Sequence, residues 1–274
     1  MMYMSSNSVF DHLAPDYDES FTDRPPAQWL RQQVRNRLVR LLPNEANILD
    51  IGCGTGDDAL WFASQGHSVV ATDVSDGMLE QTRLKCDQAS EEIRSRISIA
   101  RFDAATALDF DAPGKHQFDL ILSNFGALNC VAELQTIFAW IVKHISPKGV
   151  VALTLMGRFC AWETAGFTLR GDFRRASRRW RGKSTYEIGG VSQPVWYHSP
   201  STVRQMAAGF LAEKAVYGIG VMVPSTEFFP VCEKRPRLLK TLTQVEDRIG
   251  GWWPFNRMGD HYLIVFSKEN GGHS

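Results

Sequence analysis

This chain of 274 residues has no net charge, because 30 Lys and Arg residues balance 30 Asp and Glu residues. It therefore lacks the overall positive field that draws proteins to nucleic acid or to anionic membranes, and neither is an expected partner. The sequence has no apolar run that approaches a membrane span and no segment with the basic start and apolar core of a signal peptide. These absences predict a soluble, cytoplasmic protein.

Cysteine is also scarce. The five cysteines are scattered, odd in number and contain no C-x-x-C pair, which favours a reduced compartment over a disulfide framework. Internal repeats and low-complexity linkers are missing as well. Because strand and helix signals recur at regular spacing, we expect residues 1–274 to form a single domain.

The most informative stretch is a glycine-rich turn between two apolar strands. The first strand covers 46–51, a short helix is predicted over 57–65, and the second strand ends in Asp73. The turn contains three glycines at alternate positions, Gly52, Gly54 and Gly56. A strand, a glycine turn, a helix and a strand ending in a carboxylate form the first half of a nucleotide-type site, with the acid at the ribose.

The spacing of these glycines distinguishes two cofactors. A dinucleotide fingerprint, G-x-G-x-x-G, holds a pyrophosphate at the helix N-terminus. Here the third glycine, Gly56, comes one residue early, and Asp57 and Asp58 follow it. Two carboxylates in the first helical turn would repel a pyrophosphate but not a sulfonium ligand that carries an ammonium group.

The pattern D-x-G-x-G-x-G, followed by an acid at a strand end, resembles motif I of the class I S-adenosylmethionine-dependent methyltransferases. The resemblance continues in family order through Asp103, the strand at 118–124 and the turn and strand at 146–153. Residues 10–18 are similar to the lid of small-molecule methyltransferases of the ubiquinone and menaquinone type. In total, the resemblance covers residues 10–155.

The resemblance implies an α/β, Rossmann-like fold with a doubly wound, mostly parallel seven-stranded sheet. Its last strand, 261–266, would run antiparallel between the fifth and sixth strands. The alternation of strand and helix signals over 46–155 agrees with this fold. Residues 1–45 are expected to form an N-terminal lid with helices. Residues 157–196, rich in Arg, Gly, Trp and Phe without a clear period, are expected to be an inserted substrate cap.

The resemblance also implies how the chain binds S-adenosyl-L-methionine, with no metal. The glycines let the backbone approach the cofactor, Asp50 faces the methionyl ammonium, and Asp73 accepts both ribose hydroxyls. Asp103 accepts from the adenine amino group. The expected cofactor-binding residues are Tyr17, Asp50, Gly52, Gly54, Gly56, Asp73, Val74, Met78, Asp103, Ala104, Ser123 and Asn124.

The acceptor side is less well defined by the sequence. His198 follows an aromatic cluster and is the candidate catalytic base, although a lone histidine at a strand end is more often structural. His261 fits a residue that simply begins the last strand. The expected substrate residues are Phe125, Arg158, Trp162, Trp196 and Tyr197. Seven basic residues within 170–183 are either an anion site or a solvated face.

These observations predict methyl transfer to O, N or C of a small-molecule acceptor in a biosynthetic pathway. An RNA or protein methyltransferase stays open as an alternative, although the neutral charge and the missing N-P-P-Y type signature after the fourth strand oppose it. A non-catalytic cofactor-binding scaffold is also open, opposed by the intact glycines and Asp73. The sequence determines neither the acceptor nor the oligomeric state.

Overall fold

The computed structural model describes residues 7–110, 117–188 and 191–268. The strands in these ranges are β1 (Asn47–Ile51), β2 (Ser68–Asp73), β3 (Ile97–Arg101), β4 (Phe118–Ser123), β5 (Ile145–Met156), β6 (Lys183–Ile188), β7 (Val191–Trp196), β8 (Leu211–Ile219) and β9 (His261–Lys268). The α-helices are α1 (Asn7–Leu13), α2 (Pro25–Val39), α3 (Asp57–Ser64), α4 (Asp76–Gln88), α5 (Glu91–Arg94), α6 (Gln135–His144), α7 (Ala161–Leu169), α8 (Phe173–Ala176), α9 (Pro200–Ala207) and α10 (Pro236–Ile249).

Seven of the strands form one sheet in the order β3-β2-β1-β4-β5-β9-β8. Strands β1 to β5 pair in parallel, whereas β9 pairs antiparallel with both β5 and β8. The prediction of a mostly parallel, doubly wound sheet with an antiparallel last strand between the fifth and sixth strands is confirmed. Strands β6 and β7 form a separate antiparallel hairpin.

The central strands are apolar because helices cover both faces of the sheet. Strands β1, β2 and β4 are buried along almost their whole length. One core cluster joins the sheet to α6 and α9, and the other joins it to α2, α3 and α10. Because β1 to β5 are parallel, their carboxyl ends lie at one edge of the sheet, where ligands bind in folds of this kind.

Several helices begin where local chemistry predicts. Pro25 and Pro26 occupy the first positions of α2, where the missing N–H has no cost. The Ser75 hydroxyl accepts a hydrogen bond from the Met78 backbone N–H at 3.1 Å and caps α4, as the sequence indicates. No helix within the described ranges combines the length and apolar character that crossing a membrane requires.

The segment without clear periodicity, 157–196, contains two short helices, α7 and α8, and the β6–β7 hairpin. Helix α8 has only four residues, which is too short to produce a helical repeat in the sequence. Exposed apolar residues on this segment, Leu169, Phe173 and Trp180, further obscure the pattern. The cap therefore could not be assigned in detail from periodicity.

Candidate functional site

A cavity of about 550 Å³ lies at the carboxyl ends of β1, β2 and β4. Its volume falls within the range of small-molecule sites, roughly 300 to 1,000 Å³. The glycine turn and the acids at the strand ends line one part of the cavity. Residues of the expected lid (1–45), of the expected cap (157–196) and of the start of β9 line the remainder.

Two glycines of the turn line this cavity and have left-handed backbones, with φ of 73° at Gly52 and 56° at Gly54. A Cβ atom on Gly52 would lie 2.2 Å from the Cβ of Ala127, so packing excludes any side chain there. A Cβ on Gly54 would meet no atom of the described residues within 4 Å. Gly54 therefore leaves room for a ligand to approach the backbone.

Gly56 has a different role from the one that the sequence predicts. It does not line the cavity but begins α3 with a φ of 80°. A Cβ at this position would lie 2.6 Å from Cγ2 of Thr82 in α4. This third glycine therefore allows α3 and α4 to pack closely.

Asp73, at the end of β2, connects the glycine turn to the next helix. Its Oδ2 accepts from the Gly54 N–H at 2.9 Å and its Oδ1 accepts from the Ser75 N–H at 2.9 Å. Burial raises the pKa of this carboxyl. The Val74 backbone N–H also hydrogen-bonds this carboxylate. Since the two oxygens together have about four acceptor positions, the carboxylate can still accept a donor from the cavity.

Asp50 is a buried carboxyl that also lines the cavity, with only 1% of its surface exposed. Its Oδ2 atom has no hydrogen-bond partner within the described part of the chain. Burial, with a smaller contribution from the nearby carboxylate of Asp58, raises the pKa of Asp50 well above its ordinary value. A buried oxygen without a donor is unfavourable, so a cationic donor in the cavity would satisfy it.

The carboxylates that follow the glycine turn are paired with arginines of α2. Asp58 accepts from Arg31 Nη1 at 2.6 Å and from Arg35 Nε at 2.7 Å, and Asp57 pairs with Arg35 Nη2 at 2.5 Å. The argument that these two acids repel a pyrophosphate as free charges is therefore wrong. A preference for a cationic ligand rests instead on Asp50 and Asp73.

The two polar residues at the end of β4 are also engaged by protein. Asn124 lines the cavity, but its Nδ2 donates to Asp58 at 2.9 Å and its Oδ1 accepts from Thr154 Oγ1 at 2.7 Å. Ser123 is only 1% exposed and does not line the cavity. Asn124, an expected cofactor-binding residue, therefore lines the cavity with both ends of its side-chain amide already paired with protein groups.

The remaining expected cofactor residues lie along the cavity wall. They are Tyr17, Val74, Met78, Asp103 and Ala104. Asp103 Oδ1 accepts from the Ala105 N–H at 2.9 Å, so it also stabilises its own loop. The structure thus brings together at one cavity all the expected cofactor residues except Gly56 and Ser123.

The N-terminal segment packs directly on the glycine turn. Asp18 accepts from the Thr55 hydroxyl at 2.6 Å and pairs with Lys85 of α4 at 2.5 Å. Asp11 accepts from the Gly77 N–H at 2.9 Å and so reaches the first turn of α4. These contacts place the aromatic rings of Phe10, Tyr17 and Phe21 along the cavity.

His198 lies outside the cavity. It is 6% exposed, and its Nε2 is 3.2 Å from the carbonyl oxygen of Val131. Burial lowers the pKa of this imidazole. The assignment of His198 as catalytic base is therefore corrected: its ring packs in the protein, away from the space that a substrate could occupy.

Of the expected substrate residues, only Phe125 lines the cavity. Trp162 Nε1 donates to the Met222 carbonyl at 3.2 Å, and the Tyr197 hydroxyl lies 2.9 Å from Ser184 Oγ. The Trp196 ring packs under Lys183, and Arg158 donates to the Trp180 carbonyl. Trp162 therefore contacts the segment after β8, and the other three residues contact residues of 157–196. The cap residues that do line the cavity are Arg179, Tyr186, Gln193 and Val195.

The basic segment 170–183 divides into buried and exposed arginines. Arg179 is 4% exposed, pairs with Asp260 at 2.5 Å and also contacts Glu163. Arg178 donates to Glu163 at 2.9 Å, while most of the other basic residues of the segment are exposed. Neither open interpretation is right for the whole segment, because Arg179 through Asp260 and Arg178 through Glu227 connect 157–196 to other parts of the chain by ion pairs.

Asp260 and His261, at the start of β9, line the cavity although they are absent from the sites expected from the sequence. His261 pairs with Met156, the last residue of β5, because β9 runs antiparallel. The signal in the sequence that could have identified these two residues was the predicted antiparallel direction of β9. It places the first residue of β9 at the edge where the parallel strands end.

Comparison with known proteins agrees with this geometry. A family model described as "Methyltransferase domain" matches residues 48–149, which include the glycine turn, Asp50 and Asp73. Residues 48–149 therefore form a methyltransferase domain, and the predicted family is confirmed for this part of the chain.

Curated relatives with methyltransferase names match about half of this chain. The ubiquinone biosynthesis O-methyltransferase of Bartonella quintana (strain Toulouse) is 31% identical over 157 residues, 57% of this chain and 58% of that protein. The demethylmenaquinone methyltransferase of Clavibacter sepedonicus is 32% identical over 126 residues, 46% of this chain and 47% of that protein. In both cases, the matched segment spans about half of the relative's length.

Solved methyltransferase structures share the fold over more of the chain. The CcbJ methyltransferase from Streptomyces caelestis has a TM-score of 0.64 at 14% identity, covering 97% of this chain and 100% of that one. The glycopeptide N-methyltransferase MtfA, complexed with S-adenosyl-L-homocysteine, has a TM-score of 0.55 at 15% identity, covering 86% of this chain and 89% of that one. At such identities, the similarity establishes the fold alone.

The methyltransferase domain offers a matched pair of glycines for testing the cofactor site. Gly54 and Gly66 both have positive φ, and a Cβ on either would meet no atom within 4 Å, but only Gly54 lines the cavity. We expect Gly54→Ala and Gly66→Ala to lose similar stability, about 1 kcal/mol each, from the left-handed backbone. Only Gly54→Ala should weaken S-adenosylhomocysteine binding, by at least about tenfold, because its methyl group occupies ligand space.

Thermal unfolding and calorimetric titration measure these two effects separately. Equal cofactor affinity in the two folded variants would contradict the placement of the ligand over Gly54.

Proposed function

We propose that this protein transfers a methyl group from S-adenosylmethionine to O, N or C of a small-molecule acceptor. One observation carries the proposal: the cavity that contains the glycine turn and the strand-end acids continues to the wall formed by the cap and β9. A methyl donor and an acceptor can therefore share one enclosed space. Such alignment and exclusion of water can supply roughly 7 to 11 kcal/mol in model reactions.

At the cofactor end, the proposal assigns each acid a partner by its chemistry. Asp50, with its unpaired buried oxygen, suits the cationic ammonium group. Asp73 suits the ribose hydroxyls, since its carboxylate keeps acceptor capacity beyond the N–H groups of Gly54, Val74 and Ser75. Asp103 suits the adenine amino group, with Val74 and Met78 beside the ring. The bound cofactor supplies an electrophilic methyl group on a positively charged sulfur.

At the other end of the cavity, the lining is suited to a compact acceptor. Phe125 and Val195 supply apolar surface, while Tyr186 and Gln193 supply polar groups. The lid segment 7–24 and the cap 157–196 enclose this space, and we propose that they cover the bound substrates. An RNA or folded protein acceptor would need a more open surface. The names of the quinone-biosynthetic relatives also favour a small biosynthetic intermediate.

Binding and turnover test the proposal in two steps. We expect calorimetry to detect S-adenosylhomocysteine binding and no saturable NAD binding, because the glycine spacing matches the methyltransferase motif rather than the dinucleotide motif. A turnover screen should then detect methylation among phenols, alcohols and amines, and not with tRNA or peptides. NAD binding without a response to S-adenosylhomocysteine would refute the function. Binding of S-adenosylhomocysteine without methylation of any acceptor class would favour the alternative of a non-catalytic cofactor-binding scaffold.

A further inference from the structure

We infer that His261 is the general base of the proposed methyl transfer, that Asp260 positions it, and that the acceptor reacts through a hydroxyl group. The inference rests on the proposed function and adds the residue that removes the proton. It rests on the position of these two side chains, which lie next to each other on the cavity wall where β9 begins.

The contacts of the imidazole distinguish its two nitrogens. Nδ1 of His261 is buried and lies 3.4 Å from Oδ2 of Asp260, which is an ion-pair distance, but it completes no hydrogen bond to the described residues. Within the described ranges, no protein group makes a hydrogen bond to Nε2 of His261. The ring of Phe125 packs against the imidazole edge to face, with the ring centroids 5.3 Å apart. The ring is therefore held from two sides, and Nε2 is the nitrogen left for a ligand in the cavity.

Asp260 is itself held as an anion. Arg179 donates through Nη2 to Asp260 Oδ1 at 2.5 Å and through Nη1 to the Asp260 carbonyl at 2.6 Å. Burial disfavours the charged form, but His261 and Arg179 hold the pKa of Asp260 below its ordinary value. A carboxylate beside Nδ1 favours the tautomer with the proton on Nδ1 and the lone pair on Nε2.

The other titratable or charged groups around this part of the cavity are less suited to accept a proton at neutral pH. Burial raises the pKa of Tyr186, and it raises the pKa of Cys130 to about 12, so both stay protonated. Glu227 is paired with Arg178 at 2.6 Å. Arg31 of α2 and Arg179 of the cap are cations and have no lone pair to accept a proton. Glu163 of α7 is paired with Arg178 and Arg179.

The proposed step conserves atoms and charge. The acceptor O–H bond breaks as its proton passes to Nε2 of His261, and the electron pair left on oxygen forms the new bond to the methyl carbon. The electron pair of the breaking carbon–sulfur bond returns to sulfur, which becomes neutral. His261 then releases the proton to water. A neutral amine attacks before it loses a proton, so a base in this position indicates a phenol or alcohol acceptor.

Two variants and a matched control test the base. His261→Gln should lower kcat by roughly 10²- to 10⁴-fold on the hydroxyl acceptor from the turnover screen, with the affinity for S-adenosylhomocysteine unchanged within twofold. It should also remove the fall of kcat/KM on the acid side that protonation of the base produces. His198→Gln alters a histidine outside the cavity and should retain wild-type turnover. Asp260→Asn should reduce kcat, and thermal unfolding shows whether the variant is folded.

Nitrogen-15 NMR of the protein loaded with S-adenosylhomocysteine supplies a readout independent of turnover. The His261 signals are identified by their loss in His261→Gln, and they should show the proton on Nδ1. In a folded Asp260→Asn variant, this tautomer preference should be reduced. Wild-type turnover in His261→Gln, an acceptor that reacts through an amine, or a proton on Nε2 would each overturn the inference. Failure of the wild type to bind S-adenosylhomocysteine would instead refute the proposed function.

Discussion

Asp73→Ala is expected to weaken the binding of S-adenosylhomocysteine by about 1.5 to 3 kcal/mol, or roughly 10- to 150-fold, the range for hydrogen bonds that involve a charged group. The carboxylate is proposed to accept from the ribose, and it also holds the N–H groups of Gly54 and Ser75, each at 2.9 Å. Removal of the carboxylate therefore deprives the ribose of its proposed acceptor and loosens the glycine turn. Calorimetric titration measures the change.

Two further variants separate these contributions. Asp73→Asn keeps one acceptor oxygen and the shape of the side chain, so its loss of affinity should be smaller than that of Asp73→Ala. Asp76→Ala removes an exposed acid at the start of α4, outside the cavity, and should leave affinity unchanged. If a folded Asp73→Ala protein binds the cofactor as well as Asp76→Ala does, the ribose lies elsewhere.

Asp58→Asn should lower the free energy of unfolding by about 3 to 5 kcal/mol, the range for breaking a buried ion pair. Asp58 accepts from Arg31 at 2.6 Å, from Arg35 at 2.7 Å and from Asn124 at 2.9 Å. Without its charge, the two largely buried guanidinium groups of Arg31 and Arg35 have Asp57 as their one remaining ion-pair partner among the described residues. Urea unfolding followed by circular dichroism gives the difference.

Asp57→Asn is the matched control, because the Asp57 side chain is 26% exposed and that of Asp58 is 3% exposed. Asp57→Asn should lower the free energy of unfolding by clearly less than Asp58→Asn does. Burial opposes ionisation of Asp58, but Arg31 and Arg35 lower its pKa below the ordinary value. The stabilisation is therefore present at neutral pH and is lost as the pH falls through that lowered value. Equal costs for the two variants would contradict a special role for the buried carboxylate.

The sequence alone determined the sheet and the cofactor end of the cavity, because their signals are local. Strand β1 is a short apolar run, and glycines with positive φ follow it at fixed spacing. Ser75 caps α4 three residues before Met78, so the helix start was also predictable. Asp73 was predicted to be a cofactor-binding residue because it directly ends the apolar run that forms β2.

The tertiary structure alone decided which groups line the part of the cavity that we propose for the acceptor. Asp58 meets Arg35 from 23 positions away, and Asp260 meets Arg179 across 81 positions, so no local pattern reveals that these charges are paired. The cap contains many aromatic residues, yet its short elements do not indicate which side chains face inward. His261 reaches the cavity because β9 runs antiparallel to β5, whereas His198 is turned into the protein. Local sequence fixes backbone conformation, but the partners of a side chain depend on how distant elements pack.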